Sequence, residues 1–341
     1  MITLNRLTEE EIRTHQVLYL ATYAPSPEIQ AAPALDPVIG IAPYYNYELF
    51  KVLQGLGLPT TPCHDLTEFM AIARNYNYVF SIYNRAPFRN SEVFVSSLCE
   101  FFKIPYLGAP PNLRALAEDK WLGKIFAQSL GIPTTPSQLF RDLADTVNPP
   151  EFAGPYFTKP RFGATSEEIS KDSVQFSWPA ALSKVIEMLN HGKECLVEQA
   201  IIGVDLTVGV LGGNPPIILP VAEDTSLYPY GIITFQQKRR LEQTVQRRFL
   251  SLTDPLSQTI RRYVQQLSDQ LKTFDYLRVD FRFDPSRQQV YFLEIGFGSH
   301  IASYTVFVSG MQQLDPKVSH ADIINHIVSH SFRRQQPPLL R

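Results

Sequence analysis

The chain has 341 residues, more than one typical hydrophobic core holds, so two or three domains are expected. Hydrophobic residues make up 44% and charged residues 19%, an ordinary soluble globular composition. The formal net charge of −2 excludes a broad electrostatic drive toward nucleic acid. The three cysteines, Cys63, Cys99 and Cys195, are far apart and not spaced as metal ligands, which fits a reduced, cytoplasmic setting. Met1 to Gln16 carries several acidic residues and no apolar core, so no secretory signal is expected there. The most apolar stretch, Val208 to Ala222, is broken by Gly212, Gly213, Pro215 and Pro216, and no segment reads as a bilayer span.

The first third alternates strand and helix signals. Val17 to Ala21 reads as a strand and Pro25 to Pro43 as a Pro-rich loop. Tyr47 to Leu56 has helical spacing and stops at Gly57 and Pro59. Tyr78 to Tyr83 reads as a strand, Ser91 to Phe102 as a helix with Ser91 as N-cap, and Tyr106-Leu107-Gly108 as a third short strand. This order predicts a small parallel α/β domain over residues 1–112.

Asp119 to Leu130 is a predicted helix, closed by Gly131 and Pro133. A strand over Tyr156 to Pro160, a loop from Arg161 to Ser166, a helix over Ala180 to Asn190 and a strand over Cys195 to Glu198 complete a second α+β unit, residues 113–195. The remainder, 196–341, carries strand signals at Leu206 to Leu211, Ile217 to Val221, Leu277 to Asp284 and Val290 to Glu294. Helices are predicted at Ser257 to Thr273 and Ala321 to Ser331. The tail from Arg333 to Pro338 reads as a frayed basic terminus.

The most informative stretch is the pair of runs at Leu277 to Asp284 and Val290 to Ile295. Period-2 alternation sends Val279, Phe281 and Phe283 one way and Arg278, Asp280 and Arg282 the other. On the return strand Phe292 and Glu294 share a face, and a turn near Arg287 sets Glu294 opposite Asp280. Like charges so placed, with Cβ atoms roughly 5 Å apart, are unfavourable. Two compensations stay open: ion pairs with Arg278 and Arg282, or a hard cation such as Mg²⁺.

Several segments, in order, resemble the ATP-grasp superfamily and its D-alanine–D-alanine ligase-like branch. They are Leu107 to Asn112 with Ala117 to Lys120, then Ser129 to Pro136, then Phe157 to Pro160 with the loop to Ser166. Leu196 to Val208, Arg278-Val279-Asp280 and Leu293-Glu294-Ile295 follow. The resemblance covers roughly 105–300. It implies an α/β ATP-grasp fold of three α/β (α+β) domains with ATP between the central and C-terminal ones. It also implies that Lys120, Lys159 and the loop Gly163, Ala164, Thr165, Ser166 meet phosphates, that Glu198 meets adenine or the adjoining hinge, and that Asp205 meets ribose. Asp280 and Glu294 would hold Mg²⁺. Arg278, Lys238 and the Gly298 amide would serve the transferred phosphoryl group and an oxyanion.

Two departures from the branch stand out. Gly296 occupies a place that usually holds an asparagine, so Ser299 and His300 become candidates to replace it. The N-terminal Ser-Glu loop of the branch is absent. Tyr44-Tyr45-Asn46-Tyr47 and Arg85 are present instead, so Tyr45, Asn46, Arg85, Ser299 and His300 are expected on the substrate side. That combination resembles the cyanobacterial ligases that complete mycosporine-like amino acids by adding serine or threonine to mycosporine-glycine. An ordinary D-alanine–D-alanine or other dipeptide ligase is the second reading. A nucleotide-binding protein that has lost catalysis is the third. The resemblance implies small-molecule partners only, no nucleic acid or membrane, and by analogy a homodimer.

Overall fold

The computed structural model describes residues 3–25, 33–34, 36, 40–83, 91–163, 173–225, 233, 237 and 246–335. Its first sheet is parallel, with strands β1 (Val17–Leu20), β2 (Thr60–Cys63) and β3 (Tyr78–Ser81) in the order β2-β1-β3. β1 and β3 are buried throughout, as expected of parallel strands covered on both faces. Helices α1 (Glu9–Thr14), α2 (Ala42–Gly55), α3 (Leu66–Ile72) and α4 (Ser91–Phe102) accompany it. The third strand is Thr60–Cys63, not the expected Tyr106-Leu107-Gly108. Tyr106 makes one parallel bridge to Val79, and Gly108, at φ 108°, turns the chain away. Pro62 is tolerated in β2 because that strand lies at the sheet edge. The α2 helix starts at Ala42, five residues before its expected start, with Pro43 in its first turn.

Helices α5 (Pro111–Glu118) and α6 (Lys120–Ser129) lead into the second sheet. Asp119 caps α6 by accepting from the Trp121 and Leu122 amides, and Gly131 follows at φ 72°. The second sheet is antiparallel. Its strands are β4 (Ser137–Phe140), β5 (Tyr156–Pro160), β6 (Val174–Gln175) and β7 (Cys195–Gln199), in the order β4-β7-β5-β6. Helix α7 (Trp178–Asn190) buries Ala181 and Val185 against Phe140, Cys195 and Val197.

The third sheet is also antiparallel. It contains β8 (Val204–Leu211), β9 (Ile217–Ile218), β10 (Ala222–Thr225), β11 (Gln246–Phe249), β12 (Tyr276–Asp284) and β13 (Gln289–Gly296). The path is β11-β10-β8-β12-β13, with β9 beside β8. Helix α8 (Pro255–Leu271) lays Ile260, Val264, Leu267 and Leu271 on this sheet, one stripe at helical spacing. Helices α9 (Val306–Leu314) and α10 (His320–Gln335) follow. Ile323, Ile324, Ile327 and Phe332 of α10 share a core with Val17, Tyr19 and Tyr78 of the first sheet.

The basic tail was expected to fray, yet Arg333 and Arg334 lie inside α10. Arg333 pairs with Glu11 at 3.0 Å and Arg334 with the buried Asp275 at 2.8 Å. Buried acceptors on distant elements hold what looked like a solvated end. Among the described residues no helix is long and apolar enough to cross a membrane.

Candidate active site

Two basic residues and one acid, from α6 and the second sheet, meet in one cluster. Lys159 on β5 and Glu198 on β7 lie diagonally on neighbouring strands, where Phe157 is the direct partner of Glu198. The Lys159 ammonium is 2.8 Å from Glu198 Oε2, and the Lys124 ammonium of α6 is 2.7 Å from Oε1. Lys124 also donates to Thr135 Oγ1 at 2.6 Å. All three charged groups are buried. Burial raises the Glu198 carboxyl, but the two ammoniums outweigh it and hold it down at about 2. The carboxylate expected to meet an adenine amino group therefore sits between two ammoniums here. Lys124 escaped the sequence reading, although four residues from Lys120 on a helix is a same-face spacing.

Lys120 lies beside the start of the expected phosphate loop. Its backbone amide donates to the Arg161 carbonyl, and its ammonium donates to the Gly163 carbonyl. Arg161 fixes that corner, with two hydrogen bonds to Asp119 at 2.9 and 2.6 Å and one to Glu194 at 2.7 Å. Asp119 is therefore both helix cap and arginine partner, a role no sequence signal announced. Ala164, Thr165, Ser166, Lys238 and Arg85 lie outside the described residues.

The hairpin of β12 and β13 sets Asp280 directly opposite Glu294, as the alternation requires. A bulge then shifts the register, so that Phe281 faces Phe292 and Leu293 is the extra residue. Phe292 does not share the Glu294 face as expected. The inserted residue flips it inward, edge-on to Phe281 with ring centroids 6.1 Å apart. Of the two arginines expected to compensate the carboxylates, Arg278 lies against both of them. Its Nε lies 3.0 Å from both Asp280 oxygens, and its terminal nitrogen lies 2.7 Å from Asp280 Oδ2 and 3.5 Å from Glu294 Oε1. Thr207 Oγ1 donates to Asp280 Oδ1 at 2.9 Å. Burial opposes the Arg278 charge, but Asp280 and Glu294 raise the guanidinium above its ordinary value.

Arg282 instead pairs with Asp205 on β8 at 2.6 Å and donates to the Ile201 carbonyl. The Ile201 contact ties the chain between β7 and β8 to the β12–β13 hairpin. Gly203 lies in the same connection, where a Cβ would come within 1.9 Å of the Phe283 carbonyl oxygen. Gly203→Ala is therefore expected to lower stability by about 2 kcal/mol or more, read as a lower thermal midpoint. The segment Pro133 to Thr135 joins the lysine cluster to this hairpin. The Phe292 amide donates to the Pro133 carbonyl at 2.7 Å, while Thr135 holds Lys124.

On the other side of the hairpin, the chain after β13 meets α2. Tyr45, buried, stacks on His300 with ring centroids 4.3 Å apart and accepts from the Ile301 amide at 3.3 Å. Glu48 accepts from the Ser303 amide, and His320 Nε2 lies 2.7 Å from the Ile301 carbonyl. Ser299 Oγ stands 3.0 Å from where a Cβ at Gly296 would lie, so the serine hydroxyl fills the space a larger residue there would need. Gly298 lies in the bend that follows. Asn46 was expected on the substrate side. Its Oδ1 accepts from the Tyr23 amide and its carbonyl from the Tyr19 hydroxyl.

Residues 126–329 match the family model described as D-ala D-ala ligase C-terminus. An uncharacterised protein of Sinorhizobium fredii is 25% identical over 316 residues, 88% of this chain and 87% of that protein. A D-alanine–D-alanine ligase of Carboxydothermus hydrogenoformans is 26% identical over 265 residues, 71% of this chain and 78% of that enzyme. The crystal structure of the D-alanine–D-alanine ligase of Bacillus anthracis complexed with ATP superposes with a TM-score of 0.70. It covers 95% of this chain and 99% of that one at 14% identity, a likeness of fold. The family match spans more than half of the chain, so the protein belongs to the D-alanine–D-alanine ligase C-terminus family of the ATP-grasp superfamily and is a carbon–nitrogen bond-forming ligase.

Proposed function

We propose that the protein binds ATP with Mg²⁺, moves the γ-phosphoryl group onto an oxygen of an acceptor, and lets an amino-acid amine displace the phosphate. The supporting observation is the juxtaposition of Asp280, Glu294 and Arg278 on one face of the β12–β13 hairpin, linked through Pro133 to Thr135 to the buried Lys124–Glu198–Lys159 cluster. Lys120 and Lys159 meet the phosphates, and the loop through Ser166 and Lys238 belongs to the same set. Asp205 serves the nucleotide from β8. Arg278 counters charge on the moving phosphoryl group, and the Gly298 amide donates to the developing oxyanion.

The residues present fit a magnesium ion carried in by the nucleotide. Among the described residues no three His, Cys, Asp or Glu side chains converge, but two opposed carboxylates do. Mg²⁺ uses one or two carboxylates and completes its shell with phosphate oxygens and water. When bound, it supplies neutralisation of phosphate charge. Asp280→Asn is expected to lower kcat/KM on the order of 10²-fold or more, measured by ADP release. Full activity in that variant would sink the assignment.

For the acceptor, a carboxylate giving an amide product has the better support, because relatives such as that of Carboxydothermus hydrogenoformans are named D-alanine–D-alanine ligases. The aromatic stack of His300 on Tyr45 keeps a second acceptor in view. In that reading mycosporine-glycine is phosphorylated on its ring oxygen and L-serine or L-threonine forms an imine. An ADP-release screen with D-alanine and L-amino acids alone, then with L-amino acids plus mycosporine-glycine, separates the two. Turnover only in the first panel leaves the dipeptide reading, and turnover only in the second overturns it.

A further inference from the structure

We infer that Arg278 and the divalent cation compete for the same two carboxylates, so that the cation binds productively only together with the nucleotide. This rests on the ATP and Mg²⁺ reading above. Arg278 lies across the Asp280 carboxylate: Oδ1 faces Thr207 Oγ1 and Arg278 Nε, and Oδ2 faces Nε and the terminal nitrogen. The same terminal nitrogen is 3.5 Å from Glu294. These N–H groups take the lone pairs that a hard cation needs, and the guanidinium keeps its charge at any working pH. A divalent ion approaching the bare hairpin therefore meets one positive charge already seated between its two ligands.

The Arg278 side chain is not sealed in the core and keeps 28% exposure. A phosphate offers it the same two-pronged acceptor geometry as Asp280. Transfer of Arg278 to a nucleotide phosphate frees the carboxylate oxygens as the cation arrives on that nucleotide. By linkage, nucleotide and cation then strengthen each other by one common factor.

The test is Mn²⁺ binding by electron paramagnetic resonance, with and without a non-hydrolysable ATP analogue. The wild-type protein is expected to bind Mn²⁺ weakly alone and more tightly with the analogue. Arg278→Gln is expected to bind Mn²⁺ alone about tenfold more tightly than wild type, with the enhancement by nucleotide correspondingly reduced. Arg278→Lys, which keeps the charge but cannot span both Asp280 oxygens, falls between the two and stands in if the glutamine variant melts early. Mn²⁺ binding by both variants no tighter than wild type overturns the competition while leaving the metal site intact. No Mn²⁺ bound by wild type even with the analogue overturns the metal reading and the competition together.

Discussion

Glu198→Gln is expected to destabilise the protein by about 3–5 kcal/mol in denaturant unfolding, because it leaves two buried ammoniums without their counter-charge. Lys124 retains 1% side-chain exposure and Lys159 7%, so water cannot replace the lost carboxylate. The result is distinctive in its pH dependence. The folded Glu198 carboxyl, at about 2, lies below its ordinary value of 4.5. A group lowered on folding contributes stability that is fully present above its unfolded value and is lost as pH falls through the folded one. The wild-type protein should therefore lose this contribution between about pH 4.5 and pH 2, and the glutamine variant should show a flatter profile over that window. Equal profiles in the two proteins would remove Glu198 as the anchor of the cluster. Lys124→Met in the same background tests the pairing, since removing one ammonium together with the carboxylate should recover part of the loss.

The hairpin and its opposed carboxylates were legible because strand alternation and two charges at matched distances from a turn fix a register. The bulge beside them was not. One extra residue leaves no compositional mark, and it alone decides that Phe292 faces the core. Lys159 could be singled out because it interrupts an apolar strand, whereas Lys124 on an amphipathic helix looks like any surface lysine until Glu198 is placed beside it. The strand Thr60–Cys63 was missed because Thr-Thr-Pro-Cys has neither an apolar run nor alternation, and its pairing is supplied by β1. For Asp205 and Asn46 the sequence could not show their protein partners, Arg282 and the Tyr23 amide, because these come from distant segments.

The second large effect is expected at Asp275, where Asp275→Ala should cost about 3–5 kcal/mol in unfolding free energy. Its carboxylate is fully buried and holds three parts of the chain. Oδ2 accepts from the Gly108 amide at 2.7 Å, Arg334 of α10 reaches both oxygens at 2.8 and 3.2 Å, and His330 Nδ1 lies 3.2 Å from Oδ1. Burial pushes the Asp275 carboxyl up, but Arg334 and His330 outweigh it and leave it below its ordinary 3.8. This contribution is present above that ordinary value and declines as pH falls through the lower folded value. Alanine removes the acceptors and strands the Arg334 charge, which is why the loss exceeds that of a surface pair. The double variant Asp275→Ala with Arg334→Met should be more stable than Asp275→Ala alone, because no half-buried guanidinium is then left without its carboxylate. The position also matters for the ligase chemistry. Gly108 opens the run through α5 to Asp119 and Lys120, and Asp275 immediately precedes the strand that carries Arg278 and Asp280. One carboxylate thus links the run that leads to Lys120 with the start of β12. Asp275→Asn, which keeps an acceptor, should retain the fold better than alanine yet raise the KM for ATP, and an unchanged KM would confine Asp275 to stability alone.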